Sequence, residues 1–459
     1  MKGLIFTWLL TAFGVSSSLF SPYYGFLAYV ALALLKPDSL WASHISNGRF
    51  SLIVAMAMLG SWICRGFGNW NLGKARPVVL LFTGFWLWSA LLACFAPSQT
   101  HAWGYVEQMA KILLPFLVGV TTCRTIGDLK ALAWIIVLCE GYVCFEMNLY
   151  YFRGFNFLYF IGFAGMDNNS VSIGFVAALG VAFFLFLNSE PLWQKAILGA
   201  CMAFILHAIL FSFSRGAMLA TGIGVTLSFF LIKKNSMHYS MFALGLAATL
   251  FLAGPEVRAR FWKTFETKHG RFEESAQSRL ELWADCWTVF QRSPIIGCGP
   301  DHWPLEAKKF GWDKVNEAHS LWIQTATETG IPGICMYAGF YLLCLWNCWK
   351  LLRRLPERAP PWFGDSCRMT IAALCGFGVA AQFVSLEALE VPYYVALVGA
   401  GSLVVYGRME REGLIAADDE PVADWRDAVD DEQSRIPNGA APPIDSGPMI
   451  GQPPLGILN

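Results

Sequence analysis

The stretch VSIGFVAALGVAFFLFL, residues 171–187, runs without a single charge for close to the length a helix needs to cross a bilayer. It is not an exception. The 459-residue chain is 56% hydrophobic, 15% aromatic and 14% charged, whereas ordinary soluble domains carry about 25% charged residues. That composition excludes a water-soluble globular enzyme. The 33 basic and 33 acidic residues cancel, so bulk charge gives no reason to expect a nucleic-acid partner. Residues 255–330 hold 21 of the charges and 411–459 hold 13, leaving 32 for the other 334 positions. A polytopic membrane protein with one polar insertion and one polar tail is the expectation.

Apolar segments recur near residues 3–20, 22–35, 50–64, 77–96, 106–122, 130–150, 171–187, 193–213, 216–232, 238–254, 331–349, 369–388 and 391–406. The expected fold class is therefore all-α, with 12–13 transmembrane helices and one large, partly helical outward loop. The organisation reads as transmembrane helices over 1–254, a catalytic loop on the outer side over 255–330, further helices over 331–410, and a tail over 411–459. The first apolar run could pass for a signal peptide, but more apolar segments follow directly without a clear cleavage site, which favours a first membrane segment.

Short-loop Lys and Arg set the orientation. Lys233, Lys234, Lys350, Arg353, Arg354, Arg358, Arg368, Arg408 and Arg411 should be cytoplasmic. Lys195, Arg124, Lys130, Arg65, Lys74 and Arg76 fall on the same side, and loop 97–105, which lacks Lys and Arg, falls opposite. The insertion then faces outward. Thirteen full crossings would place the N-terminus outside, against Lys2, so one of the segments flanking Ser21-Pro22 is expected to be re-entrant.

The tail has ten acidic residues against three arginines and is dense in proline, so it reads as disordered and cytoplasmic. Most of the 13 cysteines sit singly in apolar runs as small hydrophobes. Only Cys286 and Cys298 fall in the insertion, where a disulfide and two free thiols are both open. No cysteine or histidine spacing suggests zinc, and neither a metal nor a cofactor is expected.

Four polar clusters converge on the outer side. Ser214-Arg215-Gly216-Ala217 is a tight turn between two helices. Its arginine reads either as a snorkelling anchor or, beside a hydroxyl and a glycine at a helix start, as an anion holder. Asp167-Asn168-Asn169-Ser170 reads as a helix cap or as contacts to sugar hydroxyls or an arginine. Ser278-Arg279-Leu280-Glu281-Leu282-Trp283 lies on an amphipathic helix (Leu280, Trp283, Trp287, Phe290), followed by the Gly297-Cys298-Gly299-Pro300 turn. The fourth cluster is Glu317-Ala318-His319-Ser320, with Glu328 and then Gly330-Ile331-Pro332-Gly333 behind it. His319 has the side chain whose ordinary pKa suits a general base near neutrality. His207, deep in an apolar run, reads as a packed residue.

Together these residues resemble the O-antigen ligase and O-antigen polymerase superfamily of bacterial envelope glycosyltransferases, and most closely its subgroup of O-glycosylation ligases. The family pattern has a His, then Asn, Ser or Gln, nine residues, a Gly, two residues, and a small residue or Tyr. His319-Ser320 through Gly330 and Gly333 match it. The turn at 214–217, the Asp-Asn-Asn at 167–169 and the Ser-Arg-x-x-x-Trp with Gly-x-Gly at 278–299 follow in the family order, so the likeness spans roughly residues 1–406.

The resemblance implies transfer of a glycan from undecaprenyl pyrophosphate to an acceptor hydroxyl on the periplasmic face of the inner membrane. The acceptor would be a lipid A core sugar, another glycan repeat or a protein. His319 would act as the catalytic base and Arg215 and Arg279 would bind the pyrophosphate. Asp167, Asn168, Ser214, Glu317 and Ser320 would orient the substrates. No Asp-x-Asp motif occurs, so catalysis is expected to be metal-independent. Two readings compete: a polysaccharide polymerase, and a small-solute transporter. A transporter should carry polar groups at the bilayer midplane, whereas Glu140, Glu146, Glu387 and Glu390 read as lying nearer helix ends.

Overall fold

The computed structural model describes residues 2–43, 45, 48–232, 236–252, 274–312, 317–386 and 388–415. The tail beyond 415, the insertion's start, Lys233, Lys234 and Glu387 lie outside the described residues. Helices follow one another: α1 (Lys2–Phe20), α2 (Pro22–Leu35), α3 (Pro37–Leu40), α4 (Phe50–Cys64), α5 (Arg76–Ala93), α6 (Gln99–Thr122) and α7 (Ile126–Phe152). Next come α8 (Phe157–Phe160), α9 (Asn168–Asn188), α10 (Leu192–Phe211), α11 (Arg215–Leu231) and α12 (Ser236–Leu252). The insertion holds α13 (Glu274–Arg292) and α14 (Trp303–Ala307), and the chain closes with α15 (Leu321–Arg353), α16 (Pro361–Ala380) and α17 (Glu390–Arg411). Among the described residues there is no strand, only an isolated bridge between Phe163 and Met166. The protein is an all-α polytopic membrane protein. Among the described residues each apolar segment read from the sequence falls largely on a helix, 369–388 running beyond α16 into the connector, and seven helices are long and apolar enough to cross a bilayer.

Local chemistry sets the helix starts. Thr125 and Asp128 form a reciprocal capping box on α7. Asp167, Ser214 and Ser320 cap α9, α11 and α15 with their side chains. Three of the four polar clusters therefore begin helices at one end of the bundle. The core is aromatic: Phe82 stacks on Tyr393 at 4.9 Å and tilts onto Phe340 at 4.8 Å. Such close packing matters in lipid, where apolar surface alone does not drive helices together.

The basic residues gather at the opposite end. Lys74 pairs with Glu410 at 3.8 Å, Arg368 with Asp365 at 2.9 Å, and the Arg408 guanidinium donates to the Arg124 carbonyl. Asn188, at the far end of α9, donates to Asp365 at 3.0 Å, so α9 runs from the polar end at Asp167 to this basic end. The α1–α2 turn lies here too, because Arg65 donates to the Leu19 carbonyl at 2.8 Å and Tyr23 to that of Asp128 at 2.7 Å. At the other end of α1, Phe6 packs against Trp41 at 5.9 Å. Both helices thus run away from the basic end, α1 for about 28 Å and α2 for about 21 Å at 1.5 Å per residue. The start of α1, at Lys2, therefore stands at the end that carries the polar clusters.

Other sequence expectations resolve simply. Cys286 and Cys298 are free thiols. His207 stacks on Phe211 at 4.3 Å. Glu140, read as lying near a helix end, sits mid-way along α7 and is 6% exposed.

Candidate functional site

The polar end is assembled from four elements that are far apart in sequence: the start of α9, the α10–α11 turn, α13 and the loop before α15. Asp167 accepts from the Ser170 backbone N–H at 2.9 Å and from the Asn169 amide at 3.1 Å. Asn168 donates to the Ser212 carbonyl at 2.7 Å, tying the start of α9 to the α10–α11 turn. In that turn Ser212 accepts from the Ser214 backbone N–H at 3.1 Å, Phe213 takes the left-handed conformation (φ 56°), and Ser214 caps α11. Ser214 is buried as that cap, and its job is to place Arg215 at the first position of the helix. Gly216 follows because a Cβ there would stand 2.8 Å from Phe383.

Arg215, from this turn, and Arg279, from α13, line a single cavity of about 440 Å³. Asn168 and Asn169 supply its amides, and Tyr159, Phe160, Phe213 and Phe383 its aromatic wall. Two permanently charged forks, neutral amides and rings facing one space can hold a multivalent oxyanion attached to something less polar. Nothing in the sequence marks Tyr159, Phe160 or Phe383, which belong to a one-turn helix and to the connector after α16; only tertiary packing brings them in.

The His319 loop is held from three directions. His319 itself has φ 51°, a conformation uncommon outside glycine. The Ala318 N–H donates to Gln324 at 2.9 Å, the Ala318 carbonyl accepts from Trp283 of α13 at 2.8 Å, and the Ser320 N–H donates to Ser385 at 3.0 Å. Both peptides flanking the histidine are thereby fixed. Ser320 is fully buried and caps α15, so it serves the loop's geometry. Trp283 explains why the Ser-Arg-x-x-x-Trp spacing matters: Arg279 faces the cavity one helical turn before the tryptophan that anchors the histidine loop.

His319 is not in the wall of the arginine cavity, but Arg279 and Asp167 both lie close enough to act on its charge. Burial and the Arg279 guanidinium push its pKa down, and the Asp167 carboxylate works against them. The imidazole is therefore neutral, and able to accept a proton, at neutral pH. Asp167 is held below the ordinary carboxylate range: burial opposes its charge, but hydrogen bonds from Ser170 and Asn169 and the nearby His319 outweigh that. Glu317 goes the other way, raised by burial and by Asp301 against a favourable contact with Gln324.

The nine residues between Ser320 and Gly330 have a physical meaning. They form one helical segment of α15, which ends at Gly330 in a kink (φ 68°, ψ −170°). The kink frees the carbonyls of Thr327 and Glu328, which accept from the N–H groups of Cys298 and Gly299 at 3.0 Å each, while Ile331 donates to Pro294 at 2.8 Å. The Glu328 carboxylate, 1% exposed, accepts from the backbone N–H groups of Asp301 and Trp303 at 2.9 and 3.0 Å. Glu328 therefore braces the Gly-x-Gly turn. A Cβ at position 330 would stand 2.2 Å from the Ile295 carbonyl oxygen. Gly330→Ala is accordingly expected to cost on the order of 1–3 kcal/mol or more and to lower the thermal midpoint of the purified protein; an unchanged midpoint would show that the kink does not need glycine.

Residues 200–338 match the family model described as O-antigen ligase, and residues 1–149 match that of a family of unknown function. A search of curated proteins finds no match. The matched segment contains Arg215, Arg279, His319, Gly330 and Gly333, the residues that build one end of the bundle. Through that segment the chain is similar to the O-antigen ligase family.

Proposed function

We propose that the protein transfers a glycan from undecaprenyl pyrophosphate to an acceptor hydroxyl at the periplasmic face of the inner membrane. The observation that carries this reading is the convergence of Arg215 and Arg279 on one cavity, with a neutral histidine beside Arg279. His319 takes the proton of the acceptor hydroxyl, and the resulting nucleophile attacks the anomeric carbon. The bond from that carbon to the pyrophosphate oxygen breaks, and undecaprenyl pyrophosphate leaves. The guanidiniums stabilise the charge that grows on the leaving group. Asp167, Asn168 and Glu317 orient substrate, and Ser214 and Ser320 hold the cap geometry behind them. The basic end faces the cytoplasm, together with the tail.

Two fixed guanidiniums supply the charge that a metal clamp would otherwise bring, so transfer proceeds without a divalent cation. Purified protein in vesicles, given a lipid-linked glycan donor, is expected to transfer equally with and without EDTA. Loss of activity in the chelator, restored by a divalent cation, would defeat the metal-free mechanism. The acceptor is tested by deleting the protein in its host and profiling glycans in the lipopolysaccharide and glycoprotein fractions. A glycan missing from one fraction names the acceptor, short chains on an otherwise normal linkage favour the polymerase, and two unchanged profiles reject the reading.

A further inference from the structure

The insertion carries an apolar face that the transfer chemistry does not use. Along α13, Leu282, Cys286 and Val289 recur at helical spacing and are buried with Trp303, Ala307 and Ala318. On the side turned away from them, Leu280, Ala284 and Trp287 recur at the same spacing and are exposed, Trp287 by 57%. Phe290 stacks on Trp287 at 5.2 Å. The chain leaves the helix through Ile295 and Ile296, which are 62% and 53% exposed. The polar positions Glu281, Asp285, Thr288 and Arg292 keep to a stripe of their own, so the helix is apolar on two sides and only one of these packs on the protein.

Both ends of α13 are tied to the level at which other helices enter the bilayer. Near its start, Arg279 shares a cavity with Arg215, the first residue of the apolar helix α11. Beyond its end, the Pro294 carbonyl accepts from the Ile331 N–H at 2.8 Å, and the Ile295 carbonyl oxygen would stand 2.2 Å from a Cβ at position 330. Ile331 opens the apolar run 331–349 of α15. About 20 Å of helix joins Arg279 to Arg292, at 1.5 Å per residue. A helix with both ends at that level lies along the bilayer surface and does not stand out from it. The height is set by α5, which is long and apolar enough to span. Its Trp88 donates to the Thr329 carbonyl at 2.9 Å, beside the kink, and its exposed apolar face carries on past that point through Leu91 to Phe95. Ile295 and Ile296 therefore continue the apolar surface of the bundle at its rim.

We propose that the exposed face of α13, with Ile295 and Ile296, is a lipid-docking surface seated among the headgroups and upper acyl chains of the leaflet at the polar end. An amphipathic helix lying in that plane gains affinity from the apolar area it buries there. Trp287 suits the depth, because an indole sets an apolar body against acyl chains and an N–H among headgroups. Arg279 rides on the same helix, so seating this face holds the arginine cavity at headgroup height. The seating depends on the membrane fold alone and holds whatever reaction the cavity serves.

The test uses the purified full-length protein in phosphatidylcholine vesicles and needs no assay of transfer. A phosphatidylcholine with a diazirine on its acyl chain close to the headgroup is activated by light, and its attachment sites are mapped by mass spectrometry. A parallel sample is exposed to hydroxyl radicals made in the buffer, which mark side chains that face water. Leu91, on the exposed face of α5, is the lipid-facing reference. Trp287, Ile295 and Ile296 are expected to take the lipid label as Leu91 does and to be spared by the radicals. Replacing both isoleucines, Ile295→Asp with Ile296→Asp, should lower the lipid label on Trp287 several-fold while Leu91 keeps its own, which reports that the bundle is still folded in the bilayer. Radical marking of these three residues without lipid label overturns the proposal, because the face then looks into water. Absence of both labels overturns it too, since a second copy or another protein then covers the face. So does a lipid label on Trp287 that the double aspartate variant leaves unchanged.

Discussion

Glycan transfer is expected to fall by about 10²–10⁴-fold in His319→Ala, the range that loss of a positioned general base produces, with the amount of folded protein in the membrane unchanged. The structure makes this a clean experiment, because the backbone around His319 is held by Gln324, Trp283 and Ser385 rather than by the imidazole. Position 319 nevertheless has φ 51°, so alanine adds some backbone strain. His319→Asn controls for it: asparagine tolerates this conformation but offers no base. Both variants should be equally inactive, and the asparagine variant should be as heat-stable as the native protein. Retained transfer in the asparagine variant would remove His319 from the chemistry, and inactivity accompanied by early unfolding would assign it a structural role.

The second large effect is expected at the arginines. Arg215→Met and Arg279→Met should each lower transfer by about 10²–10³-fold, the scale of losing one charge-stabilising donor. Lysine should restore little at either position, because a point charge cannot replace a bidentate fork. The two variants should then part in their pH dependence. Arg279 depresses the His319 pKa, so removing it lets the pKa rise, and the acid limb of the activity profile moves to higher pH. Asp167→Asn should move that limb to lower pH, because the carboxylate favours the imidazolium. Arg215 is not among the groups acting on His319, so its loss should reduce the rate without moving the limb. Identical profiles in Arg279→Met and the native protein would separate the histidine from the arginine site.

Particular residues show how far the site is legible before folding. Arg215, Arg279, Asp167 and His319 stand in recognisable local patterns, and each pattern is also a helix start or a helix turn, so short-range chemistry carries it. Ser214 and Ser320 were readable as polar residues beside those patterns, but the structure uses them as caps, and Asn168 both lines the cavity and ties α9 to the α10–α11 turn. The same hydroxyl or amide can face a ligand or a backbone, and only the neighbouring chain selects between them. Glu328 could be seen to follow the histidine, yet its role rests on the N–H groups of Asp301 and Trp303, more than twenty residues back. Tyr159, Phe160 and Phe383 gave no signal, since aromatic residues abound throughout this chain.

Glu140 is the instructive miss. On a hydropathy profile a single glutamate in a long apolar run looks tolerable at either end, and its depth depends on where the helix begins. Residue 140 is already the midpoint of the 130–150 apolar segment, and α7, capped by Thr125 and Asp128, keeps it mid-helix. The charged groups that share its cavity come from the ends of α2 and α17, some hundred or more residues away on either side.

Composition and local spacing alone settle that this is a helical membrane protein, which end of the bundle gathers the basic residues, and which four short polar patterns stand out from the apolar runs. They do so because bilayer insertion, helix capping and the nine-residue helical segment before Gly330 are all governed by neighbours in sequence. Whether two arginines share a cavity, whether a histidine lies beside one of them, and whether a buried glutamate meets a lysine are decided only when distant helices pack. A charge's energy depends on the few ångströms around it, and in this protein those ångströms are filled from α2, α9, α11, α13, α15 and α17 at once.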